Sequence, residues 1–297
     1  MSTFNWGILG PGGIARAFAA DLQSLAGHSV AAVGSRTLSN AQEFVSTFGG
    51  KAYGSYEELV ADESVDAIYV ATPHPAHKEN VIAALNAGKP VLCEKPFAVN
   101  AQEAQEMVAA AVANNVALME AMWSRFLPHY ALVREIVASG ILGKILTVHA
   151  DHGQRLADQN IPRLVDPLLA GGALLDLGIY PVSFAHMILS NPTKITASGV
   201  LTDRGVDGQT SMIFDYSSGA QAILNTTMLE QTPCRAVVAG VNGWLEIDRV
   251  FYSPTSMRVT LFDGTVKQYP NTYVSHGIRE QAEEFKQLVL SGKQQHE

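Results

Sequence analysis

The sequence predicts an α/β protein: an N-terminal domain with a doubly wound parallel sheet, then an α+β domain with a large, mostly antiparallel open sheet. Short apolar runs alternate with helical periodicity in the first part of the chain, which is typical of a parallel sheet with helices on both faces. Extended runs joined by short turns dominate the remainder. The length of 297 residues suits two domains better than one.

The first domain is expected to span residues 1–121, with strands and helices in alternation. Asn100 is a candidate helix cap, and Gly88 is a normal helix stop. The predicted strands are 4–9, 30–34, 66–71, 91–93 and 116–119, and the predicted helices are 14–25, 39–48, 75–87 and 100–114.

The second domain is expected to span residues 122–297. Turns such as 217–219 and 263–264 join several extended runs and are hairpin signals. The predicted strands are 145–149, 194–201, 210–216, 221–228, 237–240, 244–247, 257–262 and 265–269, and the predicted helices are 127–139, 174–189 and 277–290.

Composition limits the possible partners and the compartment. The formal charge of −8 argues against nucleic acid or an anionic membrane as the main partner. Cys93 and Cys234 are far apart and have neither metal-ligand spacing nor a disulfide framework, which suits a reducing compartment. We expect no membrane-spanning stretch and no secretory signal, because the chain enters a strand at once. A cytoplasmic protein is therefore predicted.

A glycine-rich turn follows the first predicted strand and opens the first helix. Its residues are Gly10, Pro11, Gly12, Gly13, Ile14 and Ala15. They fit the pattern G-x-G-x-x-G/A, in which Gly10 makes the tight turn, Gly12 allows close backbone approach, and Ala15 permits helix–strand packing. Free amides at the helix start would face a pyrophosphate. The turn therefore predicts a dinucleotide-binding Rossmann domain.

The end of the second predicted strand indicates which dinucleotide binds. An NAD site carries Asp or Glu near this point, bonded to the ribose hydroxyls. This chain has Ser35, Arg36 and Thr37 instead. The hydroxyls can donate hydrogen bonds and the guanidinium can pair with a 2′-phosphate. We therefore expect NADP rather than NAD, the alternative being a polar loop with an exposed arginine.

A histidine-containing segment follows the strand that ends at residue 71. Its candidate cofactor-binding residues are Thr72, Pro73, His74 and His77. The segment has the right position for a loop beneath the nicotinamide ribose. Two histidines could also suggest a metal, but no carboxylate or cysteine cluster accompanies them. We expect no metal, and either a cofactor contact or a structural role.

Glu94, Lys95 and Pro96 follow a buried apolar run, so Lys95 should emerge at the carboxyl end of a strand, where ligands bind in open α/β sheets. A lone lysine there is usually only solvated. In the second domain, Asp176 and Tyr180 are four residues apart and would share a helix face. A tyrosine pKa of about 10 is too high for a base at neutral pH, and a nearby ammonium lowers it. If folding brings them together, Lys95 and Tyr180 form an acid–base pair.

Taken together, the glycine turn, the Glu94–Pro96 segment and the 171–180 segment resemble the Gfo/Idh/MocA oxidoreductases over essentially the whole chain. Within that family the chain is similar to the branch of dimeric dihydrodiol dehydrogenase and NADP-dependent D-xylose dehydrogenase. The shared segments are 74–77, 92–96, 120–126 and 171–180. Many other branches carry histidine where this chain has Tyr180.

The resemblance implies the roles of the site residues. Lys95 and Tyr180 would lie beside the nicotinamide, with Asp176 lining the same pocket. Trp123 would help to wall the substrate site, although it could equally be core packing. Arg125 is a further candidate for the cofactor side of the site. Arg155 and Arg163 are additional candidates, for which polar surface is the default interpretation.

The resemblance also implies the activity and the assembly. We expect hydride transfer between NADP and a carbinol or carbonyl carbon of a sugar or vicinal diol, with Tyr180 as acid or base assisted by Lys95. The alternatives are a reductase of the same fold acting on another carbonyl or an imine, and a non-catalytic NADP-binding regulator. The open sheet often forms a dimer interface in this family, so a homodimer is expected. Relatives usually continue well beyond the last predicted helix.

Overall fold

The computed structural model describes residues 3–294 and divides into two compact units. The first contains the chain up to Trp123 together with the segment from Gly277 onward, and the second runs from Ser124 to His276. The predicted boundary at 121/122 lies close to this division. The segment after residue 276, however, was predicted in the second domain and belongs to the first unit. The reason is that its helix has an apolar face that packs on the first unit, where Phe285 contacts Trp6.

The strands and helices follow one another in the predicted alternation. The strands are β1 Phe4–Leu9, β2 His28–Gly34, β3 Lys51–Tyr53, β4 Ala67–Val70, β5 Val91–Glu94, β6 Leu118–Ala121, β7 Ile145–Gly153, β8 Lys194–Leu201, β9 Asp207–Asp215, β10 Gln221–Thr227, β11 Ala236–Gly240, β12 Gly243–Ile247, β13 Met257–Leu261 and β14 Val266–Tyr269. The α-helices are α1 Gly13–Leu22, α2 Leu38–Phe48, α3 Tyr56–Val60, α4 His77–Asn86, α5 Ala101–Asn114, α6 Pro128–Ala138, α7 Pro162–Val165, α8 Ile179–Leu189 and α9 Arg279–Leu290.

The first unit is built on a six-stranded parallel sheet in the order β3-β2-β1-β4-β5-β6. The strand order reverses between β1 and β4, and ligands bind at this type of switch point in open α/β sheets. The loops after β1, β2, β4 and β5 leave the same edge of the sheet. The prediction of a doubly wound parallel sheet is confirmed. It omitted β3 and α3, which are too short for a clear periodicity.

The second unit is built on an eight-stranded sheet in the order β14-β13-β12-β11-β7-β10-β9-β8. All neighbouring strands are antiparallel except β7 and β10, which are parallel. The predicted mostly antiparallel sheet is therefore confirmed. In β9 and β10 buried residues alternate with exposed ones, so one face is covered and the other is open. Helix α8 packs against β7 and β10.

The predicted helix 174–189 consists of two parts. A π-helical turn, Leu174–Gly178, is followed by the regular helix α8. Pro181 lies in the first turn of α8. There a missing N–H has little cost, because the first amides of a helix have no intrahelical partner. Pi-helical turns are frequent at functional sites, which directs attention to this junction.

One helical stretch, Pro167–Leu189, is long and apolar enough to cross a membrane by length and composition. This differs from the expectation that no stretch would reach membrane-spanning length. The expectation missed it because the apolar character is spread over several short helical segments. Half of the tested window is buried inside the fold, as in the core helix of a globular protein.

Candidate active site

The glycine turn connects β1 to α1 with a backbone shape that requires glycine at its first position. Gly10 has φ +94°, and a Cβ there would lie 3.1 Å from Thr72 and 3.2 Å from the carbonyl of Ala71. No described side chain caps α1 at Gly12, and a Cβ at Gly12 or Gly13 would meet no described atom within 4 Å. The uncapped amides of the first turn thus face open space, which fits a bound pyrophosphate.

The loop after β2 carries the three polar residues predicted to select the dinucleotide. Ser35 is buried, and its hydroxyl accepts a hydrogen bond of 3.2 Å from the backbone N–H of Thr37. Arg36 is exposed and lies near the hydroxyl of Tyr56. Burial raises the pKa of Tyr56, and the Arg36 guanidinium opposes that increase. The loop therefore presents a cation and a hydroxyl at the sheet edge where an NAD site has a carboxylate.

His77 links the loops that follow β4 and β5. Its ring is fully buried, with Nδ1 3.0 Å from the carbonyl of Pro96 and Nε2 2.9 Å from the carbonyl of Thr72. Burial lowers the pKa of His77 more than these two carbonyls raise it. Both ring nitrogens therefore face backbone carbonyls, and the neutral ring donates its single N–H to one of them. These contacts fit the structural role that the sequence left open for His77 beside a cofactor contact.

Glu94 holds the loop that carries Lys95. One carboxyl oxygen accepts a hydrogen bond from the Tyr69 hydroxyl, and the other accepts one of 3.1 Å from the backbone N–H of Lys95. Burial raises the pKa of Glu94 to about 7. These hydrogen bonds give Glu94 a role in fixing the loop, and its predicted contact with the cofactor stays a prediction. Lys95 itself is half-buried at the carboxyl end of β5, as predicted.

Trp123 and Arg125 fall on the two sides of the unit boundary. Trp123 is the last residue of the first unit before the boundary and is 7% exposed. Arg125 lies in the second unit, where its carbonyl accepts a hydrogen bond of 2.8 Å from Arg134. Both belong to the short 3₁₀-helix Trp123–Phe126.

The paired glycines before the π-helical turn allow a carboxylate to approach the backbone. Gly172 has φ +129°, and a Cβ there would lie 2.0 Å from Oδ1 of Asp207. The other oxygen of Asp207 accepts a hydrogen bond of 2.7 Å from the backbone N–H of Leu174. At Gly171 a Cβ would lie 2.6 Å from the carbonyl of Leu164. The glycines therefore let Asp207 fix the start of the segment that carries Asp176 and Tyr180.

Asp176 is buried in the π-helical turn and is paired with Arg163. The guanidinium donates to Oδ1 of Asp176 at 2.8 Å, and Arg163 remains half-exposed. A carboxylate has two oxygens with several acceptor sites, so Asp176 can accept a hydrogen bond from a ligand hydroxyl beside its pairing with Arg163. Arg155 was another arginine candidate, but it forms an exposed ion pair with Asp158 at 2.7 Å.

Tyr180 opens α8 inside a cluster of aromatic rings. Its ring centroid lies 4.5 Å from that of Tyr252 and 5.3 Å from that of His152. Burial raises the pKa of Tyr252 and of Tyr130, and the nearby Tyr180 raises both further. Both hydroxyls therefore ionise less readily than an ordinary tyrosine.

A hydrogen-bond chain fixes the rings around Tyr180. His152 Nδ1 lies 3.0 Å from the carbonyl of Leu177 and must donate to it, so its Nε2 accepts the amide hydrogen of Gln154 at 2.9 Å. The same amide donates to the hydroxyl of Tyr252 at 2.8 Å. His152 is therefore held as the neutral Nδ1–H tautomer.

Sequence reasoning missed His152, Gln154, Tyr252, Tyr130 and Asp207. They come from four separate segments, and none belongs to a motif with fixed spacing. Only the pairing of β7 with its neighbours and the packing of α8 on the sheet bring them near Tyr180. The glycine pair at 171–172 was the one local signal, because it indicated a close approach by an unidentified group.

The predicted site residues thus form two groups. The glycine turn and the loops at 35–37, 72–77 and 94–96 meet at one edge of the first sheet. Asp176, Arg163 and Tyr180 meet in the second unit. Within residues 3–294 no group of three or more His, Cys, Asp or Glu residues could hold a metal ion.

Family models match both units. Residues 4–122 match the model described as oxidoreductase family, NAD-binding Rossmann fold, and residues 130–246 match the GFO/IDH/MocA C-terminal domain. Trans-1,2-dihydrobenzene-1,2-diol dehydrogenase of Xenopus laevis is 39% identical over 97% of this chain and 89% of its own length. The enzyme of that name from Mus musculus is 43% identical over 89% of this chain and 79% of its own length.

Two solved structures similar to this chain are also oxidoreductases. A 3-ketoreductase from Actinomadura kijaniata, solved with NADP and TDP-benzene, has a TM-score of 0.86 at 27% identity, over 99% of this chain and 91% of its own. It has also been solved with one tyrosine changed to phenylalanine and with one lysine changed to alanine. An aldose-aldose oxidoreductase from Caulobacter crescentus, solved with glycerol, has a TM-score of 0.89 at 27% identity, over 98% and 91%.

An NAD-binding Rossmann unit followed by a matching C-terminal domain defines an oxidoreductase. The chain belongs to the Gfo/Idh/MocA oxidoreductase family, in its dihydrodiol dehydrogenase branch.

Proposed function

We propose that this protein is an NADP-dependent dehydrogenase or reductase that acts on a CH–OH carbon of a sugar or vicinal diol. The observation that carries the proposal is the place of Tyr180 at the start of α8, four residues after the buried carboxylate of Asp176 and with its ring centroid 4.5 Å from that of Tyr252. The names of the relatives, a dihydrodiol dehydrogenase and an aldose-aldose oxidoreductase, support a polyol substrate.

NADP is the proposed cofactor, and NAD is less favoured. The uncapped start of α1 would hold the pyrophosphate, and the loop Ser35–Thr37 would hold the 2′-phosphate through Arg36. The absence of a carboxylate from that loop removes the repulsion that a phosphate meets in an NAD site. The 3-ketoreductase of similar structure is named as a complex with NADP, which supports the same choice.

Proton transfer falls to Tyr180 and Lys95. The nicotinamide supplies a hydride acceptor when NADP⁺ is bound. Tyr180 takes the proton of the substrate hydroxyl as the carbon is oxidised, and returns it when a carbonyl is reduced. The Lys95 ammonium stabilises the phenolate, and Asp176 accepts a hydrogen bond from a second hydroxyl. The lysine and tyrosine altered in the 3-ketoreductase are separated along its chain by nearly the same number of residues as Lys95 and Tyr180.

An initial-rate assay tests the pair. Lys95→Met and Tyr180→Phe should each lower turnover by about 10²- to 10⁴-fold, because proton transfer loses its donor or its electrostatic support. The assay follows reduced-nicotinamide absorbance with NADP⁺ and with NAD⁺ over a panel of aldoses and trans-dihydrodiols. NADP⁺ affinity, measured by calorimetry, should change less than threefold in Tyr180→Phe.

Matched controls are Lys78→Met and Tyr269→Phe. Lys78 forms a surface ion pair with Glu106, and Tyr269 lies in the edge strand β14. Both controls should retain wild-type turnover. Wild-type turnover in Lys95→Met and Tyr180→Phe would remove the proposed pair, and cofactor binding without turnover on any substrate would favour a regulator.

Assembly and compartment complete the proposal. We propose a homodimer through the open face of the second sheet, where Ile213 and Ile223 lie directly opposite each other and are 41% and 40% exposed.

We propose a cytoplasmic location because Cys93 and Cys234 are both free thiols. Cell fractionation tests the location, and recovery of the protein outside the cytoplasmic fraction would contradict it.

A further inference from the structure

The backbone that leads to Tyr180 lacks one of its regular helical hydrogen bonds. The π-helical turn runs directly into α8, so the regular donor for the carbonyl of Leu177 would be the N–H of residue 181, four residues later. Residue 181 is proline and has no N–H. The missing N–H costs α8 little, but it removes a donor from the Leu177 carbonyl. One backbone N–H at the end of the turn reaches this oxygen, and its second lone pair is left for another donor.

His152 supplies that donor from the second sheet. It lies on β7 and is 1% exposed, and its Nδ1 is 3.0 Å from the carbonyl oxygen of Leu177. Since a carbonyl oxygen can only accept, Nδ1 carries the proton of this bond. Val148, Ala150 and His152 are buried at alternate positions of β7, so the imidazole lies on the covered face of the strand, and α8 packs against this strand.

Side chains from two neighbouring strands fix the other end of the turn. Asp207 accepts the backbone N–H of Leu174 at 2.7 Å. The hydroxyl of Thr226 lies 3.3 Å from the carbonyl of Ala173 and 3.2 Å from that of His152, its cross-strand partner. The turn is therefore bonded to the sheet at its start by Asp207 and Thr226, and at its end by His152.

The imidazole also packs against the phenol of Tyr180. The ring centroid of His152 lies 5.3 Å from that of Tyr180 and 4.2 Å from that of Tyr252, which in turn lies 4.5 Å from Tyr180. The amide of Gln154 donates to His152 Nε2 at 2.9 Å and to the Tyr252 hydroxyl at 2.8 Å. One set of hydrogen bonds thus fixes the two rings that contact Tyr180. His152 acts on Tyr180 both through the backbone and through its ring.

We propose that His152 is a positioning residue for the proton transfer assigned to Tyr180, an inference that rests on the proposed function. Its Nδ1–H bond fixes the backbone at Leu177, three residues before Tyr180, and its ring limits the orientations of the phenol. Proton transfer requires the hydroxyl to lie within hydrogen-bond reach of the reacting group. A side chain that is already oriented avoids an entropy cost in each turnover. Loss of His152 should therefore lower kcat more than it changes KM.

Two substitutions separate the hydrogen bond from the volume of the ring. His152→Phe keeps a ring of similar size and removes the donor to Leu177. His152→Asn removes the ring and keeps an N–H donor close to the position of Nδ1. His186→Asn is the matched control, because His186 is exposed in the last turn of α8, where its Nε2 is 3.1 Å from Asn191.

Initial rates with NADP⁺ and the best substrate of the panel test the role in turnover. His152→Phe should lower kcat by about tenfold or more and change KM by less than about threefold, because the phenol is no longer oriented. His152→Asn should recover kcat to within about threefold of the wild type, because the donor to Leu177 is kept. His186→Asn should have wild-type kcat. A side chain that only filled space would give the opposite order, with phenylalanine more active than asparagine.

Amide hydrogen exchange tests the same bond without turnover. Exchange in residues 174–182 should accelerate by about tenfold or more in His152→Phe, and by less than about threefold in His152→Asn. Strands β12 and β13 should keep their wild-type rates in both variants, which shows that the second unit is folded.

Two results would overturn the proposal. One is a kcat of His152→Asn no higher than that of His152→Phe, which would mean that the N–H is not what matters. The other is wild-type kcat in His152→Phe, even with faster exchange, because the bond would then serve stability alone. A wild type without turnover on any substrate would contradict the proposed function instead, and the exchange rates would still decide whether His152 fixes the segment of Tyr180.

Discussion

At the residue scale, the carboxyl group of Glu94 in the loop of Lys95 makes the stability of the folded protein depend on pH. The carboxyl group accepts hydrogen bonds from the Tyr69 hydroxyl and from the backbone N–H of Lys95. Burial raises its pKa from 4.5 to about 7, because the charged form loses solvation. The hydrogen bonds and the Lys95 ammonium oppose this increase, and the charge of Glu120 adds to it.

The sign of the pH dependence follows from linkage. Because the pKa of Glu94 is higher in the folded protein, the folded state binds more protons between pH 4.5 and about 7. The stabilising contribution is therefore complete below pH 4.5 and is lost as the pH rises through about 7. A change from 4.5 to about 7 corresponds to roughly 3 kcal/mol.

Glu94→Gln should remove this dependence, since an amide does not ionise. The free energy of unfolding of the variant, minus that of the wild type, should increase by roughly 3 kcal/mol from pH 4.5 to pH 8. Urea denaturation at each pH measures the free energy of unfolding of both proteins. The histidines contribute equally to both, so their contribution cancels in the difference. Glu57→Gln alters an exposed carboxyl in α3 and should give a difference that does not vary with pH. A constant difference for Glu94→Gln would contradict the raised pKa.

At the element scale, α9 completes the first unit although it lies at the end of the chain. Phe285 is fully buried and packs against Trp6 at 5.7 Å between centroids. The indole N–H of Trp6 donates to His28 Nδ1, so His28 Nε2 donates to Glu283 at 2.8 Å. The carboxylate of Asp21 accepts the first amides of the helix. Both a cap and an apolar face therefore hold α9 on the first unit.

Phe285→Ala should destabilise the first unit by about 3–5 kcal/mol, because it leaves a cavity against Trp6. Amide hydrogen exchange under native conditions should accelerate in β1 and β2, while β9 and β10 keep their protection. Val274→Ala, at a side chain 98% exposed, should change stability by less than about 0.5 kcal/mol. Loss of protection confined to β9 and β10 would mean that α9 supports the second unit instead.

At the scale of the whole molecule, the second sheet leaves an apolar face open to solvent. Ile213 and Ile223 are cross-strand partners on β9 and β10, and the flanking strand β8 is exposed throughout. Residues that alternate with them, such as Met212 and Leu224, are buried on the other face. An exposed apolar patch on an open sheet favours association with another copy of the chain.

If the protein forms the proposed homodimer, Ile213→Asp/Ile223→Asp should convert it to a monomer, because two carboxylates would be desolvated in each half of the interface. Sedimentation velocity measures the mass in solution. Val112→Asp alters a similarly exposed residue on α5 and should leave the dimer intact. If the double variant sediments as the wild type does, the interface lies elsewhere.

Several features could be predicted because their signals are local. The first sheet could be predicted from the glycine turn, the strand before Lys95 and the alternation of strands and helices. Each of these signals is local, because the periods of two residues for a strand and 3.6 for a helix can be read from neighbouring residues. The β3 strand and α3 were missed because three and five residues carry too little periodicity. His77 was predicted within the helix 75–87 and is the first residue of α4, but its contacts with two backbone carbonyls depend on a second loop and could not be foreseen.

The sequence by itself determined the two-part α/β architecture, the nucleotide turn, and the identity of the candidate pair Lys95 and Tyr180, because each is encoded within a few consecutive residues. Only the tertiary structure decided that α9 belongs to the first unit and that His152, Gln154 and Tyr252 surround Tyr180. The physical reason is that these contacts join segments far apart in the chain. Their geometry follows from strand order and burial, which local patterns do not contain.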